Sequence, residues 1–190
     1  MDHATPIRLL VILSADMVGE SSNDEIRIER IAPVYYMFKD VEADVVLATP
    51  TGGYAALAPD LRQFPSEEPC VQRFLSDRDA RDDFADTLSL DQIVIDDFDA
   101  AFCFGFSGSI WGADGLGVAP MVRAFLGDMK PVAIIPGRGL DIAAEGAGSG
   151  LLVVGDSGQS AALAAHALLN VIELRRQSVS QGRPHRPTSA

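Results

Sequence analysis

A chain of 190 residues, 47% hydrophobic and 22% charged, is long enough for one domain with its own core and ordinary in composition for a globular protein. Its net charge of −12 argues against a nucleic-acid partner, because phosphate contacts need a basic surface. Two cysteines, Cys70 and Cys103, argue against a disulfide framework or a cysteine-based zinc site, and no apolar run reaches the roughly 18 residues of a membrane span.

The first element, IRLLVILSAD (7–16), is a continuous apolar run ending in small and polar residues. This is the pattern of a buried parallel strand rather than a leader peptide, and it implies a cytoplasmic protein. The following stretch to Asp40 is predicted helical. Ser21, Ser22, Asn23 and Asp24 are candidate N-caps, and Ile28, Ile31, Ala32, Tyr35 and Phe38 recur at helical spacing. Pro33 inside that pattern predicts a kink or an early break. ADVVLATP (43–50) is a second buried strand, and 51–69 is irregular, punctuated by Gly and Pro. CVQRFLSDRDARDDFADTLSL (70–90) is predicted as a charged helix with Val71, Phe74, Leu75, Phe84 and Leu88 in partial apolar spacing and a solvated charged face.

FDAAFCFGFSGSIWGADG (98–115) reads as a third core strand breaking into a glycine-rich loop, and LGVAPMVRAFLGDM (116–129) as a helix. KPVAIIPG (130–137) is a fourth strand that stops at the turn Pro136-Gly137-Arg138-Gly139. A fifth strand and loop occupy SGLLVVGDSGQS (149–160), and a strong helix closes the fold. The expected domain spans 1–174, and 175–190 is a polar tail expected to be disordered. Strands alternate with helices, so the fold class is α/β: a flavodoxin-like sandwich with a mainly parallel central sheet and helices on both faces. Ligands of such sheets bind outside the carboxyl ends of the strands. That places the candidate site at Ser14–Gly19, Pro50–Gly53, Gly105–Trp111, Pro136–Gly139 and Gly155–Gly158. His3 and His185 lie in the tails and His166 in the last helix, so a Ser-His or Cys-His relay is not expected.

Four segments taken in order carry a family resemblance: IERIAPVYYMFKDVEADVVLATPTGG, LDQIVIDDFDAAFCFGFSGSIWGADG, KPVAIIPG and GLLVVGDSGQSAALAAHALLNVI. Together, over about residues 7–174, they resemble the DJ-1/ThiJ/PfpI superfamily and its chaperone- and glyoxalase-III-like branch. The resemblance implies a glutamine-amidotransferase-like fold and a homodimer. It also implies a site in which a Glu from the first helix contacts a Cys on a strained elbow, beside a Gly-Gly-His-Gly-like loop. Glu29 matches that Glu; Gly105, Phe106, Ser107 and Gly108 match the loop; Trp111 matches a Trp just beyond it. The elbow Cys falls on Pro136 and the following His on Gly137, so the family's thiolate chemistry is not implied. A long cover segment is also missing, since only 138–150 connect the elbow to the next strand.

The remaining residues keep two readings each. Glu29 is a general acid or base if buried, and otherwise an exposed Glu pairing with Arg27 or Arg30. Asp16 and Glu20 face the crevice or cap the helix. Ser107 orients a ligand or is solvated; the loop glycines offer N–H groups to an oxyanion or permit a turn. Arg138 binds an anionic group or points outward. Trp111, Phe106, Tyr35, Tyr36 and Tyr54 line a pocket or belong to the core, while Cys103 reads as a buried inert thiol and Cys70 as a poor nucleophile.

Three functions follow. The first is a cofactor-independent biosynthetic enzyme, of lyase or isomerase type, acting on a small carbonyl metabolite. Glu29, Arg138 and Ser107 would be catalytic, and Asp16, Gly105, Phe106, Gly108, Trp111, Pro136 and Gly137 would bind substrate. The second is a pseudoenzyme that binds a ligand or a partner protein, and the third a stress chaperone. No metal is expected, because no His/Asp/Glu cluster has ligand spacing.

Overall fold

The computed structural model describes residues 5–14, 28–55, 68–112, 116–141, 152–155 and 158–181. Seven strands form one sheet in the order β3-β4-β2-β1-β5-β6-β7. The strands are β1 (Arg8–Leu13), β2 (Asp44–Thr49), β3 (Thr51–Gly53), β4 (Thr87–Ser89), β5 (Ala100–Ser109), β6 (Val132–Asp141) and β7 (Leu152–Val154). Every pairing is parallel except that of β3 with β4. The helices are α1 (Ile28–Asp40), α2 (Pro69–Ser76), α3 (Arg78–Ala85), α4 (Val118–Gly127) and α5 (Gly158–Gln181). Among the described residues no helix is long and apolar enough to cross a membrane.

Alternation along the strands divides the apolar residues between two layers. Leu9, Val11 and Leu13 of β1 pack with Phe102 and Phe104 of β5 beneath α1, α2, α3 and α5. Leu10 and Ile12 pack with Ala101 and Cys103 beneath α4. This is the expected sandwich with helices on both faces.

Four expectations need correction. Pro33 lies inside α1 and the helix continues to Asp40, so of the two expected effects the early break does not occur. The missing N–H is outweighed by burial of Ile31, Ala32, Val34 and Tyr35, each at most 3% exposed. The charged stretch 70–90 is not one helix. Asp77 ends α2 and caps α3, its carboxylate accepting from the Ala80 N–H at 3.1 Å. Thr87–Ser89 then leaves the helical pattern to pair with β2, secured by the buried Thr49 and Thr87 hydroxyls 3.0 Å apart. Neither β5 nor β6 stops where its glycines begin; both continue, to Ser109 and Asp141. Finally, α5 passes the expected domain end at 174 and reaches Gln181. Its last turns are anchored by charge-assisted bonds: Arg175 donates to the Met129 carbonyl, and Arg176 donates to the carbonyls of Thr5 and Pro6 and to Asp99. Residues 182–190 lie outside the described residues.

Candidate functional site

The chain runs outward from β1 through β2 to β4, then returns to the other side of β1 for β5, β6 and β7. The order therefore reverses between β1 and β5, and the carboxyl ends of those strands form the crevice where open α/β sheets bind ligands. Its floor is backbone. The buried Ser14 donates its N–H to the Phe104 carbonyl at 2.8 Å. Gly105 follows with φ +78°, and a Cβ there would run into the Ser14 carbonyl oxygen, so only glycine fits. From the other side Gly137 closes in: a Cβ on it would lie 2.7 Å from the Gly105 carbonyl oxygen and 2.8 Å from the Ser107 hydroxyl.

The same approach explains the Pro-Gly-Arg-Gly stretch. Phe104 and Phe106 of β5 stand opposite Ile135 and Pro136, two residues against one; Phe106 and Gly108 then stand opposite Pro136 and Leu140, two against four. Gly105 is the extra residue of the first shift, and 137–139 supply the second. The stretch is thus a bulge inside a continuing parallel strand, not a strand-to-helix elbow. Neither Pro136 nor Gly137 carries a nucleophile, and Gly137 has no room for one unless its neighbours move.

The extra residue at Gly105 also resets the alternation of β5. Cys103 faces the α4 layer and Phe104 the α1 layer, and Phe106 returns to the α4 layer, 3% exposed among the residues of that core. Phe106 is therefore a core side chain and offers a ligand only its backbone. Ser107 is half-buried, and Gly108 is exposed at φ +97° with open space around it. Trp111 is 36% exposed in the turn beyond β5. That turn is held by Arg123 of α4, whose Nη1 donates to the carbonyls of Ile110 at 2.7 Å and Gly112 at 3.0 Å. Sequence reasoning passed over Arg123; its one signal is a lone cation in the otherwise apolar run VAPMVRAFL.

Glu29 lies in the first turn of α1, on the carboxyl edge of the sheet, but it is exposed, so the burial that the acid/base reading requires is not met. Asp16, Glu20 and the Arg138 side chain lie outside the described residues, as does the short connection 142–151. Cys103 is fully buried, Cys70 half-buried in α2, and His166 exposed on α5. Tyr35 and Tyr36 do not line the crevice. Their hydroxyls donate to Asp83 at 2.6 Å and Asp77 at 3.1 Å, joining α1 to α3 and its cap. Burial, followed by those hydrogen bonds, pushes both phenols above the ordinary tyrosine range. Tyr54 is 69% exposed.

No protein-family model matches the chain, and no curated protein matches its sequence. Solved structures do match. Rapid Encystment Protein 24 KDa of Francisella tularensis superposes with a TM-score of 0.63 at 15% identity, over 87% of this chain and 99% of that one. A ThiJ/PfpI domain protein from Brachyspira murdochii gives 0.51 at 12% identity, over 90% and 99%. Glyoxalase III from Candida albicans gives 0.55 at 11% identity, over 86% and 96%. The chain has the ThiJ/PfpI fold. In this version of the fold, the strand ends that meet at the crevice approach through glycine backbone, and among the described residues the exposed groups on that edge include Glu29, Gly108, Trp111 and Gly137.

Proposed function

We propose that this chain is a non-nucleophilic ThiJ/PfpI-fold protein that binds a small carbonyl-bearing metabolite at the carboxyl ends of β1, β5 and β6 without forming a covalent bond to it. The observation that carries this reading is the bulge at Pro136–Gly139. Where the resemblance expects Cys and His on an elbow, the strand continues and Gly137 abuts Gly105 and Ser107. Ligand contacts then fall to the backbone of Gly105 and Gly108, the Ser107 hydroxyl and Trp111, with Arg138 and Asp16 as polar contributors. The proposal includes a homodimer, on the resemblance. It also includes a cytoplasmic location, on the sequence reading alone.

A second reading is favoured by one observation. Glu29 stands in the first turn of α1 on the same edge of the sheet as the crevice, so its carboxylate, although it lacks the burial described above, is placed to exchange a proton with a bound carbonyl compound. One experiment separates the two: metabolite pools are incubated with wild-type protein and with Glu29→Gln and compared by mass spectrometry. The same compound retained by both proteins on native isolation, with no pool consumed, supports the binding protein. Consumption by wild type alone establishes the Glu29 enzyme. Consumption abolished by alkylating Cys70 sinks both readings.

A further inference from the structure

The face of α5 turned away from the core carries an apolar seam. Ala161, Ala164, Ala165, Leu168, Leu169 and Ile172 face the sheet and are buried. On the opposite side stand Leu163, Ala167, Asn170 and Leu174, spaced four, three and four residues apart. Leu163 is 69% exposed and Leu174 62%, while Asn170 is exposed and Ala167 partly so. A surface helix packed on one side only would place polar groups there. Alternating spacings of three and four are the seam along which two helices pack side by side.

The pattern says what covers it. Leu-Ala-Asn-Leu is self-complementary when a second copy lies antiparallel: Leu163 meets the partner's Leu174, and small Ala167 meets the partner's Asn170, with the reverse pairs completing the two-fold. His166 and Glu173, both exposed, lie seven residues apart on one flank of the seam. The antiparallel register puts His166 beside the partner's Glu173, twice by symmetry. A parallel two-fold would turn this flank toward the opposite flank of the partner helix, and neither His166 nor Glu173 would meet its counterpart. We infer that α5 packs antiparallel on α5 of a second copy of this chain, with Leu163 and Leu174 as anchors and the His166–Glu173 pairs fixing orientation. The inference gives the homodimer of the preceding reading its surface and rests on that reading only for the existence of a dimer. The seam spans about 16 Å at 1.5 Å per residue, which places the interface at the small end of the size range and makes the dimer a weak, reversible one.

The test is sedimentation velocity on the full chain from about 1 to about 200 µM, a range that brackets weak association. Wild type is expected to pass from monomer to dimer across it. Leu163→Glu combined with Leu174→Glu is expected to raise the dissociation constant at least about tenfold, with an unchanged circular dichroism spectrum. His166→Glu, which sets Glu against Glu, weakens the dimer. Adding Glu173→Lys restores it, an outcome that general damage to the helix would not give. A dimer of unchanged affinity in the double leucine variant overturns the seam and leaves the homodimer standing on another face. A monomer throughout in wild type overturns both.

Discussion

Gly105→Ala tests the floor of the crevice. Two costs act at this position. At φ +78° an L residue sits in the left-handed region, at about 1–2 kcal/mol. The added methyl would also overlap the Ser14 carbonyl, and because the obstacle is backbone directly after the central strand β1, held by the Ser14 N–H bond to Phe104, it cannot rotate away, adding about 1–3 kcal/mol as in overpacked cores. Gly53→Ala is the matched control, with the same φ of +78° and nothing within 4 Å of its Cβ. It carries the conformational cost alone, partly offset by the reduced freedom of the unfolded chain. In urea unfolding, Gly105→Ala should be less stable than Gly53→Ala by about 2 kcal/mol. In thermal unfolding its Tm should be lower by about 4–8 °C for a chain of this size. If the two variants agree within about 0.5 kcal/mol, the close approach of β5 to β1 does not exist in solution, and the backbone crevice is wrong.

Two further outcomes follow from the same framework. Arg123→Gln should free the turn at Ile110–Gly112 and raise acrylamide quenching of Trp111, the only tryptophan in the chain, by about twofold; unchanged quenching refutes the role given to Arg123. Because Tyr35 and Tyr36 have raised pKa values in the folded state, their contribution to stability is full below pH 10 and is lost as pH rises beyond it. A titration followed at 295 nm should show both staying protonated until the chain unfolds, and all three tyrosines ionising together in native protein refutes the buried network.

The central strands were readable because they are buried on both faces and appear as apolar runs; β1, β2 and the first half of β5 and β6 needed nothing else. The edge was not. Leu88 fits a helical spacing, and the three residues around it become a strand only because β2 offers Ala48 and Thr49 as partners, a contact between residues far apart in sequence. The site shows the same division. Gly105, Ser107 and Gly137 were recognised from their position after apolar runs, and they do meet. The bulge was invisible, since it arises from the mutual approach of two strands and no local pattern encodes it. One consequence was the misplacing of Phe106, whose side changes because Gly105 adds a residue to β5.

Arg176 reaches from the far end of α5 to the carbonyls of Thr5 and Pro6 at 2.7 and 3.0 Å, beside Asp99 at the start of β5. Thr5 and Arg176 thus lie within one side chain's length of each other, on the amino side of the sheet. The crevice opens on the opposite side. A covalent cross-link made between the Thr5 region and α5 would tie the first strand to the last helix on the face away from the crevice and leave the crevice open to solution.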